Sequence, residues 1–379
     1  MYKKKRGFSL SALALSIALT GCSGNDEVNT QSTSAVADVK EVATQSYSQA
    51  ISAEEIRNSA YDIATRAGAW QIEQLGNLNY IPESHRAKSE NAKFWIQAAF
   101  YIGLTEWTGI SKNPEFLAHL EKMAAEEEYG LLTDRPYHAD DHTIGQTYLW
   151  LTEQPGNKAA YGPTQEHFDW ILANQPNVGL EMLDSTASGS GKLHNEGNCQ
   201  LRWCWADALF MAPRTWLKLS NATGDPKYFE YADKEFWAAA DYLFSDKYGL
   251  FFRDSRYFDM KSDNGEPVFW GRGNGWVFAA LPLIINDLPD DHPSRPRYIE
   301  LYKKNAAALL KLQTADGYWP ASLMDPNKVK TPEISGTGFI TYGLAWGVNN
   351  GILDDTESKK IGRNRKPIRF IEICKLDST

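Results

Sequence analysis

The sequence predicts an all-helical domain built from repeated helix pairs. Uniformly apolar helices alternate with amphipathic ones. The junctions at residues 104–117, 149–168 and 216–228 share one pattern: a helix ends, turn residues follow, and an aromatic residue opens the next helix. Helix pairs whose inner members are apolar close best into a solenoid or a toroid.

The predicted helices follow local start signals. Ser52-Ala53-Glu54-Glu55 forms a capping box, and the apolar face expected behind it carries Ile56, Ala60, Ile63, Ala67 and Trp70. Residues 93–108 are apolar on nearly every side, which predicts an inner helix. Asn113 and Pro114 should cap an outer helix over residues 116–127. Further helices are expected at residues 207–219, 227–243, 275–288, 297–314 and 336–349.

The loops between these pairs are rich in Gly, Asp and Trp, so we expect them to form one rim around a concave pocket. Strand signals are weak and local. Residues 249–254 and 268–270 are expected to pair as a short hairpin across a turn at residues 261–265.

The N-terminus predicts an exported, lipid-anchored protein. A basic cluster at residues 3–6 precedes an apolar run over residues 8–19 that is too short to cross a bilayer. Leu19-Thr20-Gly21-Cys22 matches the lipoprotein cleavage pattern, and a conventional signal peptide with an incidental cysteine is the alternative. We therefore expect a signal peptide over residues 1–21 and lipid on Cys22, with Ser23 favouring the outer membrane. Whether the anchored domain faces the periplasm or the cell exterior stays open.

The remaining chain is expected to be a disordered tether over residues 22–49 and one catalytic domain over residues 50–379. Thirteen Trp and eighteen Tyr suit a protein core or sugar platforms, whereas the formal charge of −9 argues against nucleic acid. Cys199, Cys204 and Cys374 lack zinc-site spacing, and no metal or cofactor is expected. A disulfide between Cys199 and Cys204 stays open.

Two clusters place carboxylates at predicted helix starts. Asp140 and Asp141 stand just before a helix, where capping alone explains an Asp. Asp207 lies inside an apolar, aromatic stretch over residues 203–211. A carboxylate there must be hydrogen-bonded or functional, because burial raises its pKa and penalises its charge. Such an environment suits a general acid at neutral pH.

A third cluster, residues 270–276, combines three glycines with Arg272 between Trp270 and Trp276. The glycines are expected to let the backbone approach a ligand closely. No Lys-Ser or Lys-Thr follows them, which argues against a phosphate loop. An Arg framed by Trp suits a carboxylated sugar.

These motifs resemble the unsaturated rhamnogalacturonyl and glucuronyl hydrolases, glycoside hydrolase family 105 and the related family 88. The resemblance covers about residues 52–354. It rests on Asp140 with His142 and Gly145, Trp205-Ala206-Asp207, Leu209-Phe210-Met211, Gly249-Leu250-Phe251-Phe252 and the cluster at residues 270–276. It implies an (α/α)6 six-hairpin toroid. It also implies an acidic oligosaccharide substrate left by a polysaccharide lyase, whose terminal C4=C5 double bond is hydrated.

The resemblance also implies roles. Asp207 would protonate C4 and then take a proton from water, while Asp140 would contact the sugar and help to set the pKa of Asp207. The implied or candidate substrate contacts are Trp205, Trp270, Arg272, Trp276, Asp141 and His194.

Arg253 departs from the family pattern, since many members carry His there. A second cation suggests a sulfated rhamnose, as in the branch that acts on ulvan. The alternative is an Arg paired with Asp254 or Asp259. Adjacent side chains of an extended segment point to opposite faces, which disfavours Asp254 as the partner.

Other functions remain open at this stage. An unsaturated pectin disaccharide is the alternative substrate. An inverting hydrolase that uses Asp140 and Asp207 on saturated glycans is the rival mechanism. A surface lipoprotein that binds glycans without catalysis would keep the Trp residues but would not need a desolvated Asp. The oligomeric state stays undetermined.

Overall fold

The computed structural model describes residues 53–81, 83–86, 89–155, 161–182 and 198–353. The predicted signal peptide, the tether, Cys22, Ser52 and His194 lie outside the described residues. Within the described ranges, no helix combines the length and apolarity needed to cross a bilayer.

The structure is built almost entirely of helices. In chain order they are α1 (Ala53–Gln74), α2 (Glu83–Arg86), α3 (Trp95–Ser111), α4 (Pro114–Glu126), α5 (Ala139–His142), α6 (Gly145–Thr152), α7 (Gly162–Ala173), α8 (Ala208–Met211), α9 (Pro213–Thr223), α10 (Lys227–Leu243), α11 (Gly271–Asp287), α12 (Arg295–Lys311) and α13 (Ile334–Asn349). Two short strands, β1 (Phe244–Ser245) and β2 (Leu250–Phe251), pair antiparallel.

The helices form two layers. Inner helices α3, α6, α9, α11 and α13 contact one another in succession, whereas α4, α10 and α12 each pack outside the inner helix that precedes them, and α7 packs against α9. Helices α3 and α11 bury most of their side chains because they are apolar on nearly every side. The N-terminal ends of α5, α8, α11 and α13 lie together, and we call this end the rim.

Several predicted helix bounds are confirmed. Helix α10 spans the predicted residues 227–243. Helix α4 begins at Pro114, and the Asn113 side chain accepts a hydrogen bond from the Glu115 N–H at 2.9 Å. Both helices carry strong local start signals, so their bounds depend little on distant contacts.

The predicted apolar face of α1 is only partly correct, because Ala60 is buried but the large side chains of Ile63 and Trp70 are not. Ile63 and Trp70 are each 41% exposed, while Ala64 and Gly68 are buried. A Cβ atom on Gly68 would lie 3.3 Å from the ring of Phe116, so α1 presents its small residues to the neighbouring helices. Close approach of the helices, rather than side-chain hydrophobicity, therefore selects the buried face.

The single helix predicted over residues 207–219 is divided. It is interrupted at Ala212, between α8 and α9. Pro213 has no N–H for an interior helical hydrogen bond and begins α9 instead. As a result, Asp207 precedes a helix of only one turn.

The predicted hairpin pairing is also wrong. Phe244 pairs with Phe251, while the turn at residues 261–265 is closed by a local bridge between Lys261 and Pro267. Gly249 has a φ of 67°, which lets the chain reverse immediately before β2. Pairing residues that are five to seven positions apart costs less loop-closure entropy than pairing across the longer turn.

The structure contains the disulfide that the sequence left open. Cys199 and Cys204 are bonded, with their Cα atoms 5.2 Å apart. The bond closes a short loop immediately before Trp205 and Asp207, so the segment entering α8 is constrained.

Candidate active site

Asp207 lies at the rim with its carboxyl group among apolar neighbours. Residues 203–206 and 208–211 are buried on either side of it. The Oδ1 atom of Asp207 is buried and has no hydrogen-bond partner. Burial raises the pKa of Asp207 to about 6, against the opposing charges of Arg253 and Arg272 and with a smaller contribution from the negative charge of Asp140.

A carboxyl group with this pKa can hold a proton near neutral pH and release it during a reaction. General acid–base catalysis requires such a group, with the transferable proton aimed at a ligand. No hydrogen-bond partner among the described residues competes for a proton on the Oδ1 atom. The desolvated environment that the sequence predicts for Asp207 is thus present.

Residues 136–142, which include α5 and which we call the Asp140 loop, contact the Asp207 segment at the rim. The Asp140 side chain is 18% exposed, and the Asp140 N–H donates to His138 Nδ1 at 3.3 Å. His138, rather than an Asp, therefore caps α5. The His138 ring centroid lies 4.8 Å from that of Trp205, which itself is buried. This ring contact links the two loops that bear the carboxylates.

Arg272 is an accessible cation supported by an aromatic ring. Its guanidinium carbon lies 4.5 Å from the centroid of Trp270, and its side chain is 44% exposed. One guanidinium nitrogen lies 3.9 Å from Glu333 Oε1. Glu333 accepts hydrogen bonds from the Gly336 N–H and the Ser335 hydroxyl, so it also caps α13.

Arg253 is held by its chain neighbour. It pairs with Asp254, which is fully buried and also accepts from Arg256 Nε at 2.9 Å. Burial opposes ionisation of Asp254, but the two arginines hold its pKa below the ordinary value. The expectation that adjacent side chains could not pair is wrong, because an Arg side chain is long enough to bend back.

Arg253 nevertheless stays beside Asp207. Its side chain remains 30% exposed. Its carbonyl oxygen accepts a hydrogen bond from the Ala206 N–H at 2.8 Å, which ties its backbone to the Asp207 segment. Arg253 therefore pairs with a neighbouring carboxylate and also stays accessible to a ligand, so it combines the two roles considered from the sequence.

Two predicted substrate contacts, Trp276 and Asp141, lie in buried positions. Trp276 is only 3% exposed and packs against Phe210 and Phe339, with ring centroids 4.6 and 4.1 Å away. Asp141 is 1% exposed and pairs with Arg135 through both carboxylate oxygens. Both side chains support the walls of the site, because neither is exposed to an incoming sugar.

The glycines of the third cluster serve the protein's own packing. A Cβ atom on Gly271 would collide with the Pro320 carbonyl oxygen, and one on Gly273 would lie 2.7 Å from the Trp270 ring. The expectation that they admit a ligand is replaced by a requirement for close contact within the chain.

Asn274 is a site residue to which the sequence analysis assigned no role. Its side chain accepts from the Phe251 N–H at 2.8 Å and donates to the Phe251 carbonyl at 3.0 Å. It thereby joins β2, which leads to Arg253, to the first turn of α11, which bears Arg272. A single buried amide among glycines at a helix start is the signal that could have identified it. In the part of the chain described, no three His, Cys, Asp or Glu side chains are placed to hold a metal ion.

Comparison with known proteins agrees with this arrangement. The profile described as Glycosyl Hydrolase Family 88 matches residues 65–364. The chain is 61% identical over 362 residues to an unsaturated 3S-rhamnoglycuronyl hydrolase of Alteromonas sp. strain LOR, covering 95% of this chain and 86% of that protein. It is 34% identical over 269 residues to a protein of the same name from Formosa agariphila, covering 69% and 68% of the two chains.

Superposition on a solved structure identifies the fold. A family 88 glycosyl hydrolase from Bacteroides vulgatus superposes with a TM-score of 0.61 at 24% identity, over 82% of this chain and 84% of that one. This likeness confirms the (α/α)6 toroid expected from the sequence. Membership of a glycosidase family also argues against a protein that only binds glycans. The profile match and the 61% identity show that this chain belongs to glycoside hydrolase family 88.

Proposed function

We propose that this glycosidase removes a 4,5-unsaturated uronic acid from the non-reducing end of lyase-generated oligosaccharides by hydrating the C4=C5 double bond. The observation that carries the proposal is the unpartnered, desolvated carboxyl oxygen of Asp207, whose pKa is also influenced by two nearby cations. Transfer of a proton to a carbon atom needs a carboxyl group that is still protonated near neutral pH. Arg272 nearby suits a substrate that carries a carboxylate.

The chemistry uses one carboxyl group twice. Asp207 donates its proton to C4, and the electrons of the double bond form the new C4–H bond, leaving positive charge at C5 and the ring oxygen. A water oxygen then bonds to C5 and its proton passes to the Asp207 carboxylate. The resulting hemiketal opens to a ketone at C5 as the bond between C5 and the ring oxygen breaks and the hydroxyl proton moves to that oxygen. The hemiacetal left at C1 then collapses to an aldehyde and releases the neighbouring sugar as an alcohol, so one water has been consumed.

The charges around Asp207 assist the first step. A uronate carboxylate bound by Arg272 would offset one of the cations that oppose the raised pKa of Asp207. Substrate binding would therefore raise this pKa further and favour the protonated form. Trp270 would support the sugar ring beside Arg272, since an aromatic face suits an apolar sugar face.

We propose further that the sugar next to the uronate is a sulfated rhamnose, as in ulvan. Two relatives, one at 61% identity, are named for 3S-rhamnoglycuronyl substrates, and Arg253 offers a second, partly exposed cation. An unsaturated pectin disaccharide is the alternative, and its uncharged rhamnose would leave Arg253 without a ligand partner.

The predicted export signal extends the proposal to location. Lipid on Cys22 would anchor the enzyme to the outer membrane, and residues 22–49 would serve as a tether between lipid and toroid. Metabolic labelling with a palmitate analogue should mark the full-length protein and not its Cys22→Ala variant.

The test of the reaction follows the double bond. We expect the ultraviolet absorbance of the conjugated C=C bond to disappear when the enzyme meets lyase products, with a free reducing sugar released in equal amount. Saturated oligosaccharides of the same composition should be left intact. Cleavage of both substrates at equal rates would instead support the inverting mechanism.

A further inference from the structure

We propose that His142 and His167 are positioning residues that hold the Asp140 loop through the carbonyl oxygen of Pro136. The inference rests on the proposed function, because it assigns their effect to the acid Asp207. Neither histidine was expected to take part beyond the occurrence of His142 in a family motif.

The two rings converge on one atom. Pro136 O lies 2.8 Å from His142 Nε2 and 2.9 Å from His167 Nε2. A carbonyl oxygen only accepts, so each ring must carry its proton on Nε2. The other nitrogen of His142 accepts from Trp216 Nε1 at 3.3 Å, which agrees with that tautomer. Pro136 has no N–H, so this oxygen is its only backbone polar group.

Both rings are suited to a fixed neutral role. Burial is the main cause that lowers the pKa of His142 to about 3, and burial also lowers the pKa of His167. Burial therefore favours the neutral form of both rings, which agrees with the tautomers required by their hydrogen bonds.

The clamp joins the loop to two layers of the toroid. His167 belongs to the outer helix α7, while Thr215 of the inner helix α9 donates to the His142 carbonyl at 2.8 Å. Asp140 lies between Pro136 and His142 and acts on the pKa of Asp207 through its charge. Holding the loop fixes the distance between the two carboxylates, so the clamp should help to set the pKa of the acid.

His167 is the better residue to change, because it is only partly buried and lies on an outer helix. His167→Leu removes the donor and keeps an apolar side chain of similar reach, whereas His167→Gln places an amide N–H near the position of Nε2. Gln165→Leu is the matched control, since Gln165 lies on the same helix and donates at 3.1 Å to Tyr228, away from the Asp140 loop.

We expect His167→Leu to lower kcat about tenfold with little change in KM, because a small displacement of a catalytic loop acts mainly on the chemical step. The fall of kcat/KM above about pH 6 should move to lower pH, since Asp140 no longer repels the Asp207 charge as strongly. His167→Gln should restore both properties, and Gln165→Leu should leave both unchanged.

A second measurement separates this inference from the proposed function. Carboxyl ¹³C NMR titration should give a lower pKa for Asp207 in His167→Leu than in the parent enzyme, whether or not a given oligosaccharide is turned over. An unchanged Asp207 pKa would overturn the positioning role, as would equal behaviour of the Leu and Gln variants. Failure of the parent enzyme to act on any unsaturated oligosaccharide would reject the proposed function alone.

Discussion

Asp207 and Asp287 are both largely buried carboxylates of the inner layer, yet their pKa values are displaced in opposite directions. Arg214 Nε donates to Asp287 Oδ2 at 2.7 Å and Lys218 Nζ lies 3.7 Å away, and these cations lower the pKa of Asp287 against the effect of burial. Asp207 also has cations nearby, but its Oδ1 atom has no hydrogen-bond partner, and burial raises its pKa.

The comparison shows that direct hydrogen bonding, rather than burial or nearby charge alone, separates a structural carboxylate from a reactive one. Helix α11 connects the two environments. Arg272, near Asp207, is its second residue and Asp287 is its last, so about 22 Å of helix lies between them. At the rim, Asp207 has a carboxyl oxygen without a hydrogen-bond partner, whereas at the other end of the helix Asp287 is paired with Arg214.

The largest expected effect is on catalysis at the rim. Asp207→Asn keeps the side-chain volume but has no acidic proton, so kcat should fall by about 10²–10⁴-fold. The loss should be measured with an unsaturated oligosaccharide at saturating concentration, together with direct binding of the same ligand. Retained turnover would remove Asp207 from the mechanism.

The same variant should gain stability, because Asp207 has a folded-state pKa of about 6 and an ordinary value of 3.8. As the pH rises through this interval, the Asp207 carboxyl group ionises in the unfolded chain before it ionises in the folded protein, so the folded state loses stability. The Asn side chain of the variant does not ionise and avoids this loss. The gain should reach roughly 2–3 kcal/mol above pH 6 and vanish below pH 4. A variant destabilised at pH 7 would mean that the carboxyl group is structural.

Changes to the buried ion pairs of Arg214 should lower stability and leave catalysis nearly unchanged. Arg214→Met leaves Asp287 and Glu106 buried without their main partner, and we expect a loss of about 3–5 kcal/mol in denaturant unfolding. Specific activity of the folded fraction should change little. Arg66→Met removes an exposed pair with Asp62 and is the control, with an expected loss below about 0.5 kcal/mol. Similar losses in both variants would contradict the assignment of the buried network.

The smallest effect concerns selectivity at Arg253. Arg253→Ala should reduce kcat/KM about tenfold to a hundredfold on a sulfated substrate, the equivalent of one charge-assisted hydrogen bond of roughly 1.5–3 kcal/mol. The desulfated analogue should be affected little. Arg256→Ala is a useful control, because Arg256 shares the partner Asp254 but is not among the charges with the largest effect on the pKa of Asp207. Equal losses on both substrates would remove sulfate recognition from the proposal.

Local signals in the sequence were sufficient for much of the fold. The bounds of α10 and the Asn113 cap depend on residues within one turn of a helix end, so they could be predicted without tertiary contacts. The face of α1 could not, because it depends on how closely Gly68 approaches Phe116. Pairing of β2 likewise depended on the conformation of Gly249.

The candidate site divides in the same way. An Asp among buried aromatic residues is desolvated wherever the helices lie, so the sequence by itself determined the raised pKa expected of Asp207. Only the tertiary structure decided that Trp276 packs inside the wall, that Arg253 bends back to Asp254, and that Asp287 is neutralised by Arg214. Those outcomes depend on distances between side chains from different segments, and hydrogen bonds and ion pairs weaken within a few ångströms.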